Sequence, residues 1–139
     1  MYGEEGRILM DMEKKIERLK SILEDSSYTV MITGSGMMSE GGYQGLKTPE
    51  RAYETEKKYG LSPEDLFTTI FYNNRTAQFF DFYRSQVLEN QPQVTESSYV
   101  LARMEQAGKL QCIIDSNIYE LPQKGGCKNV ISLHGSIYK

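Results

Sequence analysis

The distribution of apolar residues predicts three short strands, at residues 29–33, 110–114 and 129–133. Each run is short, apolar and flanked by polar residues or glycine, which is typical of a buried strand. Helical patterns fill the long interval between the first two runs. Because strands that are separated by helices usually form a parallel sheet with right-handed crossovers, the pattern predicts an α/β fold.

An amphipathic helix is predicted at residues 4–24, ahead of the first strand. Its apolar residues recur every three or four positions, and charged residues cover the other side. The heptad seam is too short for a dimerising coiled coil, so the pattern favours a helix that packs on the sheet. The apolar stripe consists of Leu9, Met12, Ile16, Leu19 and Leu23.

The chain is predicted to form one domain with an insertion, because no repeat, low-complexity segment or linker interrupts it. Residues 1–47 and 109–139 contain the strands and form the sheet-bearing part. Residues 48–108 form a helical lobe inserted between the first two strands. Helices of the lobe are predicted at 49–59, from residue 62 onward, at 75–89 and at 95–107.

Capping residues mark the helix boundaries inside the lobe. Thr48 and Pro49 suit a cap and a first helical position, and Gly60 suits a stop. Ser62 and Pro63, followed by two acids, mark a second start. The apolar residues predicted to face inward are Leu66, Phe67, Ile70 and Phe71 in that helix, and Val100, Leu101 and Met104 in the last one.

A glycine-rich turn follows the first strand. Such a turn suits a diphosphate, because small residues admit close approach and exposed N–H groups complement negative charge. The spacing departs from the dinucleotide fingerprint, since Ser39 stands where the third glycine is required. By spacing alone, a phosphate-binding turn and an ordinary tight turn remain equally open. The glycines are Gly34, Gly36, Gly41, Gly42 and Gly45.

Charge and composition argue against some classes of binding partner. The net charge of −3 argues against nucleic acid, which normally requires a basic face. The sequence has no run that could span a bilayer and no signal-peptide pattern, so we expect a cytoplasmic chain without a membrane partner. Cys112 and Cys127 are far apart and form no metal-ligand motif, so no metal site is predicted. Cys112 is expected to be a buried small hydrophobe.

Three blocks of the sequence, in the right order, resemble the sirtuin family. Residues 33–42, TGSGMMSEGG, resemble the sirtuin opening T-G-A-G-I-S-x-E-S-G. Residues 116–119, SNIY, stand where the family has Q-N-I-D, and residues 130–136, VISLHGS, resemble V-I-E-L-H-G-S. The resemblance implies a Rossmann-like sheet and covers about the first half of a sirtuin catalytic domain. The chain stops soon after His134, and zinc is expected only in the C-terminal part that would follow.

The resemblance implies an NAD-dependent protein-lysine deacylase, which transfers the acyl group to ADP-ribose and releases nicotinamide. A lone histidine at a strand end is by default structural, but the imidazole of a histidine is suited to proton transfer near neutral pH. The resemblance implies that His134 is the general base for a ribose hydroxyl. It implies that Asn117 orients the nicotinamide ribose and a water molecule. The implied cofactor-binding residues are Thr33, Gly34, Ser35, Gly36, Met38, Lys47, Ser116, Asn117 and Tyr119.

Departures from the family pattern keep other functions open. Leu46 and Lys47 replace a phenylalanine and an arginine, and Tyr119 replaces the acid that receives the nicotinamide carboxamide. The alternatives are an NAD hydrolase or ADP-ribosyltransferase, and a catalytically degenerate NAD-binding module. The implied partner is an acylated protein, and an exposed sheet edge is expected to favour self-association. We expect residues 1–139 alone to bind NAD poorly and to show no deacylase turnover.

Overall fold

A three-stranded parallel sheet lies at the centre of the fold. The computed structural model describes the chain from residue 4 to residue 139, with side chains from residue 11 onward. Strands β1 (Val30–Thr33), β2 (Cys112–Asp115) and β3 (Val130–Ser132) are hydrogen-bonded in the order β1-β2-β3, with both pairs parallel. The predicted parallel α/β fold is therefore confirmed.

Helices connect and flank these strands. Within residues 4–139, no helix is both long and apolar enough to cross a bilayer. A π-helical segment at Arg84–Leu88 continues α6, which the sequence pattern did not predict. The helices are α1 (Glu4–Asp25), α2 (Ser35–Glu40), α3 (Pro49–Tyr59), α4 (Pro63–Leu66), α5 (Thr69–Asn74), α6 (Thr76–Tyr83), α7 (Glu96–Gln106) and α8 (Leu121–Lys124).

Helix α1 forms over the predicted range but does not pack on the sheet along its length. Met12, Ile16 and Leu19 are 55%, 48% and 56% exposed, so the packing prediction is wrong for them. A helix of 22 residues is about 33 Å long, whereas a strand of four residues is about 13 Å long. Among the described side chains of α1, those near its C-terminal end, including Leu23, line a cavity beside β1. Leu9 lies outside the described side chains.

Helices α3 and α4 begin where their caps were predicted, but Thr48, at the N-cap position of α3, makes no side-chain capping hydrogen bond. Helix α3 runs from Pro49 to Tyr59 and ends at a left-handed Gly60, whose φ of 73° favours glycine. The hydroxyl of Ser62 accepts a hydrogen bond from the backbone N–H of Asp65 over 3.2 Å, which caps α4. These short polar signals therefore located both helix boundaries.

The helix predicted after Ser62 is interrupted at Thr68. The hydroxyl of Thr68 accepts a hydrogen bond from the N–H of Phe71 over 3.2 Å and caps a new helix, α5. The interruption changes which side chains face inward, so Leu66 and Phe71 are buried but Phe67 and Ile70 are exposed. The predicted burial of the last two is wrong. A hydroxyl that caps locally competes with helix continuation, and the periodicity does not reveal which outcome prevails.

Two apolar cores hold the molecule together. The lobe core consists of the buried residues Leu66, Phe71 and Phe82. The second core lies on one face of the sheet and includes Leu101 and Ala102 of α7, but Val100, predicted to face inward, is exposed. The remaining buried members of this second core are Met37, Val87, Leu110, Ile113, Tyr119, Leu121 and Cys127.

The opposite face of the sheet is exposed. Ile32 pairs with Ile114, which pairs with Ile131, so the three residues form one row across the sheet. Ile32 is 74% exposed and Ile131 is 52% exposed. The described residues therefore leave an apolar sheet face and the free edge of β1 in contact with solvent.

Candidate functional site

The carboxyl ends of the three strands meet at one edge of the sheet. Thr33, Asp115 and Ser132 are aligned in register. Past that row, the N–H of Ser116 donates to the carbonyl of Thr33 over 3.1 Å, and the N–H of Leu133 donates to the carbonyl of Asp115 over 2.9 Å. The segments that follow the strands therefore start side by side, where ligands of parallel α/β sheets bind.

The glycine turn fits the close approach of an anionic group. Helix α2 begins at Ser35, so the N–H groups of Ser35 and Gly36 lie in its first turn and have no acceptor within the helix. A Cβ atom added at Gly36 would meet nothing within 4 Å, whereas one added at Gly34 would lie 3.3 Å from the hydroxyl of Ser116. Packing therefore explains the glycine at 34, and the open space at 36 is available to a ligand.

The side chain of Asn117 is buried against the glycine turn. Its amide nitrogen donates to the carbonyl of Gly34 and to one carboxylate oxygen of Asp115, both over 2.9 Å. The neighbouring Ser116 donates its hydroxyl to the carbonyl of Thr33 over 2.9 Å. The end of β2 is thus fastened to the end of β1, and the carboxamide oxygen of Asn117 is left to accept a hydrogen bond.

A mostly apolar cavity of about 260 Å³ opens beside Asn117. Ser116 and Asn117 contribute polar groups, and side chains from α2, the lobe and the segment after β2 form the apolar wall. This volume is slightly below the usual range for small-molecule sites, about 300 to 1,000 Å³. The residues around it are Met38, Tyr43, Leu46, Phe67, Tyr83, Val87, Ser116, Asn117, Ile118 and Tyr119.

Tyr119 lines this cavity with its hydroxyl already bonded. The hydroxyl donates to the carbonyl of Val87 over 3.2 Å, and the ring lies 5.7 Å from that of Tyr43, centroid to centroid. Burial raises the pKa of Tyr119 well above its usual value, so the phenol stays neutral. With its proton committed to Val87, Tyr119 can only accept a hydrogen bond from a ligand.

The sequence also matches one known protein family, and this match supports the interpretation of the site. The Sir2 family model matches residues 34–139, which include the glycine turn, Asn117 and His134. The chain belongs to the Sir2 family. This Sir2-family chain is 35% identical over 125 residues to an NAD-dependent protein deacetylase of Clostridium acetobutylicum, and the match covers 90% of the chain and 51% of the relative. The chain therefore spans about half the length of this relative.

Solved sirtuin structures have the same fold over the same half. One, from a study of sirtuin substrate affinity, superposes with a TM-score of 0.72 at 28% identity, covering 86% of this chain and 47% of the other. Another is a Sir2 variant with a deacetylated p53 peptide and 3′-O-acetyl ADP-ribose, with a TM-score of 0.68 at 27% identity and coverages of 88% and 48%. These matches confirm the resemblance to sirtuins and the fold.

The sirtuin site residues predicted from the sequence do not all lie together. The structure brings Thr33 and Gly34 into contact with Ser116 and Asn117. The exposed side chain of His134 follows β3 at the same edge. Lys47, predicted to bind the cofactor, does not line the cavity; its ammonium group lies 3.1 Å from the carboxylate of Glu64.

The role of Asp115 was not predicted from the sequence of this sirtuin chain. Its side chain is fully buried, and one carboxylate oxygen accepts the hydroxyl proton of Thr33 over 2.8 Å. The sequence did contain a signal for this role, namely a charged residue at the end of an apolar strand. A carboxylate that is buried there requires specific hydrogen-bond partners. Among the side chains that the structure describes, from residue 11 onward, no group of three or more histidine, cysteine or acidic residues is arranged to hold a metal ion.

Proposed function

We propose that this chain provides the nicotinamide-ribose side of an NAD-dependent protein-lysine deacylase site. The observation that carries the proposal is the hydrogen bond from Asn117 to Gly34, which joins an amide to a glycine turn with open space at Gly36. The relative named as an NAD-dependent protein deacetylase supports the same activity. The Sir2 structure with a deacetylated peptide supports an acylated lysine as the substrate.

Each residue of the site has a proposed task. NAD, when bound, supplies the ribose carbon that captures the acyl oxygen as nicotinamide leaves. The N–H groups of Ser35 and Gly36 bind the pyrophosphate, because they have no earlier acceptor in α2. The carboxamide oxygen of Asn117 accepts a hydrogen bond from a ribose hydroxyl or from water. His134 removes the proton of a ribose hydroxyl and prepares it for acyl transfer.

The apolar cavity has a separate task, which is to keep water away from the departing nicotinamide. Met38 and Tyr119 form part of its wall, and Ser116 and Asn117 are its polar groups. An apolar wall that excludes water strengthens each hydrogen bond inside the cavity and limits attack by water on the reacting groups. A cavity that excluded water poorly would favour hydrolysis of NAD, which is the alternative activity.

Product analysis separates the proposed function from its alternatives. The protein for this test, called the extended chain below, is residues 1–139 joined after Lys139 to the second half of the Clostridium acetobutylicum relative. With NAD and an acetyl-lysine peptide, acyl-ADP-ribose is the expected product. Free ADP-ribose formed without a peptide would indicate a hydrolase, and NAD binding without either product would indicate a degenerate module. The full-length relative is the positive control.

We also propose two features of organisation. Residues 1–47 and 109–139 form one unit with the sheet, and residues 48–108 form the inserted lobe. Helices α4 to α6 of the lobe share an apolar core of their own, whereas α7 packs in the core on the sheet. Copies of the isolated chain associate through the uncovered side of the sheet. The exposed Ile32 and the free edge of β1 support this proposal, since unpaired edges and apolar faces promote association.

A further inference from the structure

Asp115 is a buried carboxylate at the end of the central strand, and its contacts are unevenly shared between its two oxygens. Oδ1 accepts hydrogen bonds from the hydroxyl of Thr33 over 2.8 Å, from the backbone N–H of Asn117 over 3.0 Å and from the side-chain amide of Asn117 over 2.9 Å. Oδ2 is buried and has no hydrogen-bond partner among the described residues. One oxygen therefore holds three donors.

Stability alone does not account for a charged residue at this position. Removing a carboxylate from water is costly, and the cost is offset only when its oxygens are well bonded. Oδ2 accepts no hydrogen bond from the described residues, so nothing offsets the cost of burying this oxygen. What the carboxylate does provide is a fixed acceptor beside Asn117, which donates two of the three bonds.

The hydrogen bonds determine which way the carboxamide of Asn117 is turned. Its nitrogen donates to two acceptors, the carbonyl of Gly34 and Oδ1 of Asp115. Turning the carboxamide by half a rotation would place its oxygen against both of those acceptors, which is repulsive. The carboxamide oxygen is therefore held away from Asp115 and Gly34, in a side chain that lines the cavity.

We propose that Asp115 is a positioning residue that locks Asn117 with its carboxamide oxygen available to accept from a ribose hydroxyl or a water molecule. The hydroxyl of Thr33 fixes the carboxylate in turn, so the lock includes the ends of both β1 and β2. The catalytic consequence rests on the proposed function. The positioning itself does not, because it is a property of the chain without NAD.

Side-chain amide exchange in the 139-residue chain, measured by NMR, tests this role with a matched pair of variants. In Asp115→Leu the acceptor is lost at similar volume, and the amide protons of Asn117 are expected to exchange with solvent about tenfold faster, the factor for one hydrogen bond. In Asp115→Asn an oxygen acceptor remains, and exchange should stay close to that of the parent. Unchanged exchange in a folded Asp115→Leu chain would overturn the proposal.

The parent chain provides a second measurement if the leucine variant fails to fold. Scalar couplings across the hydrogen bonds should connect the side-chain nitrogen of Asn117 to the carboxylate carbon of Asp115 and to the carbonyl carbon of Gly34. If both carbons are assigned and the coupling to Asp115 is not seen, Asp115 does not hold Asn117 and the proposal fails. Should the couplings be present while the extended chain leaves NAD and an acetyl-lysine peptide unreacted, the positioning role stands and the proposed function fails.

Discussion

The side-chain amide of Asn117 donates to the backbone carbonyl of Gly34 over 2.9 Å, across 83 positions of the sequence. The bond connects the segment after β2 to the turn after β1. Neither segment can shift without breaking it, and a broken bond would leave buried polar groups unpaired. The amide proposed to hold the ribose and the turn proposed to hold the pyrophosphate are thus kept in one fixed relation.

Gly36→Ala is expected to separate cofactor binding from stability. The added methyl group meets nothing within 4 Å, and alanine favours a helix by up to about 1 kcal/mol over glycine. The free energy of unfolding should therefore stay the same or rise. In the extended chain the NAD affinity should fall at least about tenfold, because the methyl group fills the space for the pyrophosphate. Urea unfolding and calorimetric titration measure the two quantities, and an undiminished affinity would remove Gly36 from the site.

Tyr119→Phe tests the buried phenol through the pH dependence of stability. At neutral pH the variant should lose about 1 kcal/mol, because the carbonyl of Val87 loses its donor. Burial raises the pKa of Tyr119 in the folded chain, so its contribution is complete below the ordinary value of 10.0. Above that value the unfolded chain ionises first, and the advantage of the parent over the variant should shrink. Urea unfolding at pH about 8 and about 11 measures the difference in the free energy of unfolding between the parent and the variant. The same difference at both pH values would contradict the effect of burial on Tyr119.

The parts of the fold that the sequence predicted depend on local chemistry. Pro49 and Gly60 bound a helix through the backbone angles that each residue favours, and these preferences act without the rest of the chain. The strands were also predictable. The helices between them have a clear 3–4 residue periodicity, and the short apolar runs that remain, such as the one that contains Val130–Ser132, are typical of buried strands.

One error came from a competition between local bonds, and the others came from relations between distant parts of the chain. The burial of Ile70 depended on whether Thr68 would end a helix, which is a competition between similar local bonds. The exposure of Met12 depended on how far the sheet extends beneath α1. Asp115 was missed because its three donors come from Thr33 and Asn117, and only the folded register brings Thr33 to it.

Ile32→Lys tests self-association, with Ile70→Lys as a matched control. Both isoleucines are 74% exposed, but Ile32 lies on the sheet and Ile70 on a helix of the lobe. A charge on the uncovered sheet should weaken association of the 139-residue chain, because charged residues oppose edge pairing and apolar contact. Sedimentation velocity at several protein concentrations measures the association of the parent and of both variants. Equal effects of the two substitutions would mean that the sheet is not the contact surface.

The 139-residue chain alone is expected to bind NAD poorly. A dinucleotide normally lies across both halves of a doubly wound sheet, and the three described strands amount to one of them. Losing the contacts of the other half should cost several kcal/mol, or on the order of a thousandfold in affinity relative to the extended chain. Calorimetric titration of both proteins compares them. Micromolar binding by the short chain would mean that its own residues carry most of the site.

Acyl transfer by the extended chain, with and without His134, tests the proposed function most directly. The measurement is the rate of acyl-ADP-ribose formation from NAD and an acetyl-lysine peptide, followed by mass spectrometry in the parent and in His134→Ala. Loss of a general base should lower this rate by about a hundredfold or more. Because His134 is exposed, the variant should keep its free energy of unfolding, which serves as the control. The predicted result is acyl-ADP-ribose from the parent and a near absence of it from the variant; equal rates from the two proteins would contradict the role of His134 and the site built around it.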